Sequence, residues 1–249
     1  MCGRYVSVSS PSLLASYFGA EAVRTDDVDA NYNVTPRAEV PIVAVSAEAR
    51  VVDRVRWGLV PWFAKDVAIG DKLINARGET ITTKPAYRRA FERRRCIIPA
   101  DGFYEWRVRP GTRARQPYFI HACDGEPLAF AGLWENWFDP ELDEPPRLRS
   151  CTIVTTVAND DLEPLHSRMP VVLPASVWSS WLDTANRDTD ALQRLLVPAP
   201  NGELRYHPVR PLVNNADNNG PELVAALDPA DLEQPAEIAL PLALPGLDG

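Results

Sequence analysis

Apolar residues in this chain come in short runs separated by prolines and turn-forming residues, a pattern of strands and turns with few long helices. The pattern predicts strands over residues 2–7, 40–45, 50–57, 73–76, 96–106, 117–122, 128–137 and 150–156. The turn residues Cys123-Asp124-Gly125-Glu126 lie between two of these runs and predict a hairpin joining them. Helical signals are fewer. Ser10 is placed to cap a helix over 11–18, and the stretch 84–95 sets Tyr87 and Phe91 four apart on one face. Short helices are predicted over 175–182 and 189–196. Strands that follow one another without regular crossover helices point to the α+β class with mostly antiparallel pairing.

Composition adds limits. The 24 prolines among 249 residues are about twice the usual share, and they reinforce the broken pattern. With 45% hydrophobic and 24% charged residues the chain has an ordinary globular composition. No apolar run reaches the roughly 18 residues of a membrane span, and the first residues lack a signal peptide's basic and apolar regions. A cytoplasmic protein with no membrane partner is expected, and a monomer, since no coiled-coil or swap signal is present. Cys2, Cys96, Cys123 and Cys151 are widely spaced, and only His121, His166 and His207 could join them. Neither a disulfide framework, a zinc site nor any other cofactor is indicated. Residues 2–220 are expected to form one domain. Residues 221–249 carry six carboxylates and no Lys or Arg, and are expected to be a mostly disordered acidic tail with weak helical content near 223–227.

The formal charge of −8 at first argues against a nucleic-acid partner. It is unevenly spread. Residues 1–120 hold 19 basic and 13 acidic side chains (+6) and the remainder 7 and 21 (−14), which together give −8. Within residues 54–115 the count is 15 against 6, a local +9 that suits a polyanion as well as it suits a solvated, salt-bridged surface.

Candidate chemistry starts at Cys2. Behind Met1 its small side chain favours methionine excision, which would leave a thiol and a free α-amine on adjacent carbons. Their reference pKa values are about 8.5 and 7.7–8.0, so both have reactive fractions near neutral pH. Two reactions open: attack of the thiolate on an acyl carbon, or Schiff-base formation by the amine followed by closure to a thiazolidine. A small buried residue in a first strand is the structural alternative.

Five motifs in order, MCGRY, WGLVPWFAKD, NARGET, the run from Lys84 through RRCIIPADGFYEW, and LHSRMPV, resemble the SRAP family, the abasic-site processing proteins of the YedK and HMCES type. The resemblance runs from residue 2 to about Asn218. It implies a single domain with a barrel-like β core, single-stranded DNA containing abasic sites as partner, and a thiazolidine crosslink between Cys2 and the ring-opened sugar. It further implies that Asn75 orients the reacting groups, that Glu105 serves as acid and base, and that His166 shuttles a proton. Taken singly, Asn75 could be a turn residue, Glu105 a surface position and His166 an exposed loop histidine. Their joint occurrence with Cys2 carries the assignment.

Single-stranded DNA demands cations for phosphates and flat faces for bases. Arg4, Arg77 and Arg168 are the phosphate candidates, Trp62 and Trp106 the aromatic ones, and Arg88, Arg89, Arg93, Arg94 and Arg95 could extend the track or only complement the helix dipole. Gly78 stands where the family usually has alanine, which is expected to loosen the loop slightly. Two other readings are an N-terminal-nucleophile amidotransferase or amidohydrolase using Cys2, and a non-covalent single-strand binding module.

Overall fold

The computed structural model describes residues 2–26, 29–109 and 111–228. In chain order the elements are β1 (Tyr5–Ser7), α1 (Pro11–Phe18), β2 (Ala22–Val23), β3 (Asn31–Val34), β4 (Glu39–Ser46), β5 (Ala49–Trp57), β6 (Asn75–Arg77), α2 (Pro85–Arg93), β7 (Arg95–Ala100), β8 (Gly102–Val108), β9 (Arg115–Ala122), β10 (Leu128–Trp137), β11 (Leu148–Val157), β12 (Arg168–Pro170), α3 (Trp178–Leu182), α4 (Thr189–Gln193) and β13 (Leu204–Pro208). The class is α+β, as the pattern predicts.

Five strands close on themselves in the order β11-β10-β7-β4-β5 and back to β11. Neighbouring strands within the run are antiparallel. An odd number of alternating strands leaves the first and last pointing the same way, so the closing pair has to be parallel. The pair β5–β11 is parallel, with Arg56 opposite Ser150 and Trp57 opposite Cys151. Alternation along these strands sends side chains two ways. Val40, Ile42, Cys96, Ile98, Phe130, Cys151 and Ile153 pack with Tyr5, Phe103 and Ile120 of a second sheet, ordered β13-β9-β8-β1-β3. Val43, Ile97, Ala131 and Val154 point the other way, beneath the helices, against Leu14, Phe18, Phe91, Trp181 and Leu192.

The helices form for local reasons. Ser10 accepts from the Leu13 N–H at 3.3 Å, Pro11 opens α1, and Gly19 closes it in the left-handed conformation. The expected helix over 84–95 stops at Arg93, because the next residues belong to the barrel. Arg95, buried in β7, donates to the carbonyls of Phe91, Glu92, Trp181, Asp183 and Asn186, and so ties the ends of α2 and α3 together. Burial lowers its pKa to about 10.

Several expectations need correction. Residues 96–106 are two strands in different sheets, separated at Asp101, whose carboxylate accepts from the N–H groups of Val8 and Ser9 and from the Ser9 hydroxyl. Gly102 fits that corner because a Cβ there would lie 2.4 Å from the Phe119 ring. The predicted hairpin is absent: β9 pairs with β8 and β13, and β10 with β7 and β11, so the turn after Ala122 is a crossing between sheets. The short strands β2, β3, β12 and β13 carried too little periodicity to predict. Of the expected acidic tail, residues 221–228 pack on the domain: Leu223 is fully buried and the Leu227 N–H donates to the Pro208 carbonyl at 2.8 Å. The remainder of that tail lies outside the described residues. Among the described residues no helix is long and apolar enough to cross a membrane.

Candidate active site

Cys2 is fully buried just ahead of β1, its thiol 3.9 Å from the Arg4 carbonyl. Its own carbonyl accepts from Nδ2 of Asn75 at 2.8 Å. A carbonyl can only accept, so the amide nitrogen must face residue 2, and this fixes the orientation of Asn75. Oδ1 of Asn75 is left as a buried acceptor without a partner. The backbone of Asn75 is held on both sides: β6 pairs with β11 at Ile153, and the Tyr87 hydroxyl of α2 donates to the Asn75 carbonyl at 3.0 Å.

Glu105 arrives from the other sheet. The Tyr104 N–H donates to the Arg4 carbonyl at 3.0 Å, which lays β8 beside the N-terminal segment, and Glu105 follows, 6% exposed. Burial raises the Cys2 thiol far above its usual range, and the charge of Glu105 raises it further. The thiol is therefore in its protonated form at neutral pH.

His166 closes a helical turn, its N–H donating to the Leu162 carbonyl at 3.0 Å. Nδ1 faces the backbone of Arg168, 2.9 Å from its N–H and 3.2 Å from its carbonyl, which fixes the orientation of the ring. β6 and β12 both pair with the C-terminal end of β11, so His166, two residues before β12, belongs to the end of the sheet that carries Asn75.

The binding candidates are placed differently from one another. Arg77 is exposed at the end of β6. Arg168 gives a two-pronged pair to Glu79 at 2.9 and 3.0 Å and a further bond to the Thr155 carbonyl at 2.8 Å. Those bonds hold the Glu79 carboxyl below its usual range. Arg4 donates from Nη1 to Asn33 and Val213. Trp106 is half-buried, its indole N–H on Oδ1 of Asn214 at 2.8 Å. Trp62 is 53% exposed with the Arg89 guanidinium 4.9 Å over its ring, and Arg88 and Arg93 line the same groove. Arg94 and Arg95 turn away from that surface: Arg94 pairs with buried Glu135 at 2.6 Å, and Arg95 is interior. Of the two roles the sequence leaves open to them, the DNA track and the helix end, neither faces the former: Arg94 is taken up by its ion pair and Arg95 by carbonyls at the helix ends.

Residues 1–216 match the sequence model of the family described as SOS response associated peptidase (SRAP). The chain belongs to the SRAP family. It is 39% identical over 226 residues to the abasic site processing protein YoqW of Bacillus subtilis, spanning 90% of this chain and 99% of the relative. To the abasic site processing protein HMCES of Rattus norvegicus it is 35% identical over 238 residues, spanning 81% of this chain and 65% of the relative. A solved protein from Bacteroides thetaiotaomicron shares the fold with a TM-score of 0.79, covering 91% of this chain and all of that one at 24% identity. A phage-related protein from Bordetella bronchiseptica does so at 0.64 and 29% identity, covering 84% and 94%.

Within this SRAP domain the sequence motifs did not reveal Asn33, Thr155 or the segment 213–219, nor that Glu79 of NARGET pairs with Arg168; all of these hold the binding candidates. For the segment 213–219 the signal was the density of asparagines at 214, 215, 218 and 219. Gly78 also differs from expectation. It is buried, and a Cβ there would lie 3.2 Å from the Leu196 Cβ, so the loop after Arg77 is tightly packed.

Proposed function

We propose that this protein binds single-stranded DNA carrying an abasic site and, once Met1 is removed, joins Cys2 covalently to the ring-opened sugar. The observation that carries this reading is the Asn75 amide. It holds residue 2 by its carbonyl and leaves a buried acceptor, Oδ1, free to orient the amine that excision would create. A structural asparagine gains nothing from an unused buried oxygen, which costs about 1–3 kcal/mol.

The order of steps follows from the state of the thiol. Because the thiol is protonated, the amine leads. His166 moves a proton between the sugar oxygens as the ring opens. The amine then attacks the aldehyde carbon, and Glu105 delivers a proton to the departing hydroxyl, which leaves as water. The sulfur adds to the resulting C=N carbon, and the S–H proton passes through Glu105 to nitrogen. One C–N and one C–S bond form for one water released, with no oxidant or reductant. Arg4, Arg77 and Arg168 supply phosphate contacts, and Trp62 and Trp106 supply base contacts.

The test is a denaturing gel of the mature protein incubated with a single-stranded oligonucleotide bearing one abasic site. A heat-stable shifted band is expected, lost in Cys2→Ala and when Met1 is retained. A shift seen only under native conditions would favour a binding module, and glutamine hydrolysis without a shift would favour an amidase. Crosslinking rate is expected to rise with pH through about 7.7–8.0, the amine range, and to show no further rise near the usual thiol value.

A further inference from the structure

Arg4 can offer a ligand only part of its guanidinium, and the part is chosen by a residue outside the sequence motifs. Nη1 of Arg4 carries two N–H donors. Both are used within the protein, on Oδ1 of Asn33 at 2.6 Å and on the Val213 carbonyl at 2.9 Å. Nε is buried without a partner, and among the described residues no hydrogen bond engages Nη2. Since Nε has next to no accessible surface, Nη2 is the nitrogen left to a carboxylate or phosphate. The side chain is thus held by one corner with its Nη2 end unused.

Asn33 is built for this task. It is 3% exposed on β3, and the pairing of Val34 with Tyr5 fixes it alongside Arg4. Its Nδ2 donates to the carbonyls of Asn215 and Asn218, each at 2.9 Å, with a longer contact to Val213. An amide can accept from a guanidinium at one end and donate to carbonyls at the other. An aspartate here would set its charge against those carbonyls and offset the cation of Arg4. The segment that Asn33 secures also holds Trp106 through Asn214, and it is tied back to β3 by Asn219, which accepts from the Tyr32 N–H at 2.8 Å.

We propose that Asn33 is a positioning residue for DNA binding: it locks the Nη1 corner of Arg4 to the 213–219 segment, so that the unengaged Nη2 end stands preset for one backbone phosphate. The proposal rests on the reading that Arg4 contacts DNA. Its physical gain is preorganisation, since a long side chain already fixed loses less freedom when the phosphate arrives.

A double-mutant cycle tests it, using an unmodified single-stranded oligonucleotide that has no aldehyde to crosslink. Dissociation constants are measured by fluorescence anisotropy at fixed salt for wild type, Arg4→Ala, Asn33→Ala and the double variant. The same is done for Arg77→Ala with and without Asn33→Ala. Arg4→Ala and Asn33→Ala are each expected to weaken binding about tenfold, with the double variant no weaker than Arg4→Ala alone, while Asn33→Ala and Arg77→Ala multiply. An Asn33→Ala effect that is absent, or that multiplies with Arg4→Ala, overturns the positioning role while leaving the DNA contact of Arg4 intact. No effect of Arg4→Ala overturns the contact itself. Should Asn33→Ala fail to fold, NMR of the wild-type Arg4 side chain decides. Nη1 protons resolved from those of Nη2 before DNA is added, and Nη2 protons that shift on adding the oligonucleotide, are expected. Free averaging of all four Nη protons overturns the proposal.

Discussion

Arg168 gives both prongs of its guanidinium to Glu79, so a phosphate arriving there has to take the place of a carboxylate. The exchange is cheap, because Glu79 is half exposed and exposed pairs are worth about 0.2–1 kcal/mol. Glu79→Gln is expected to tighten binding of unmodified single-stranded DNA by about two- to fivefold at low salt, with the gain fading as salt rises; anisotropy titrations at two salt concentrations measure it. Residues of this kind were hidden in the sequence. Cys2, Asn75, Glu105 and His166 stood in recognisable motifs, and the fold sets the Asn75 amide on the Cys2 carbonyl and brings the charge of Glu105 to bear on the Cys2 thiol. Glu79 lies in the NARGET motif itself, yet nothing in the spacing shows that it faces Arg168, because β12 is brought beside β6 only through β11. Asn33 was further out of reach, since its partners lie about 180 residues away.

At the scale of elements, the join between β5 and β11 is short in backbone pairing and is reinforced by side chains. Arg149 of β11 grips Asp53 of β5, with Nη2 to Oδ1 at 2.7 Å. Burial alone would raise the Asp53 carboxyl, but hydrogen bonds from Arg149 and the Arg54 N–H, with the charges of Arg149 and Arg24, outweigh it and hold the group below its usual range. A depressed folded-state pKa contributes stability above the unfolded value, about 3.9, and that contribution is lost as pH falls through the lower folded value. Asp53→Asn is therefore expected to destabilise the protein at neutral pH by about 2 kcal/mol. In thermal melts its deficit against wild type should shrink only below about pH 4. The strands that make this join were legible at 50–57 and 150–156, but their partnership was not. Periodicity says which faces are buried and is silent on neighbours, which is also why the turn after Ala122 resembled a hairpin.

Across the whole molecule, the net charge of −8 conceals an arginine-bearing surface, with Arg77, Arg88, Arg89 and Arg93 exposed, while part of the +9 stretch is spent internally on Arg56, Arg94 and Arg95. The uneven spread was readable from the sequence. Which arginines face solvent was not, because an arginine on a helix end and one beneath it have the same spacing. The odd number of strands in the barrel has a further consequence, for the order of assembly. A ring of five can be laid down largely by local antiparallel pairing, but its parallel seam joins Trp57 to Cys151 across a long loop, and long-range contacts close late. The strand that carries Asn75 pairs in parallel with that same β11. In pulsed hydrogen exchange during refolding, amides shared by β4 and β5, and by β7 and β10, are expected to gain protection before that of Ile153, which donates to the Ile74 carbonyl beside the seam. Simultaneous protection would show that the ring forms in one step. Late closure would leave a half-folded chain with most of its barrel in place and no Asn75 beside Cys2, so the crosslinking proposed above would appear only with the finished fold.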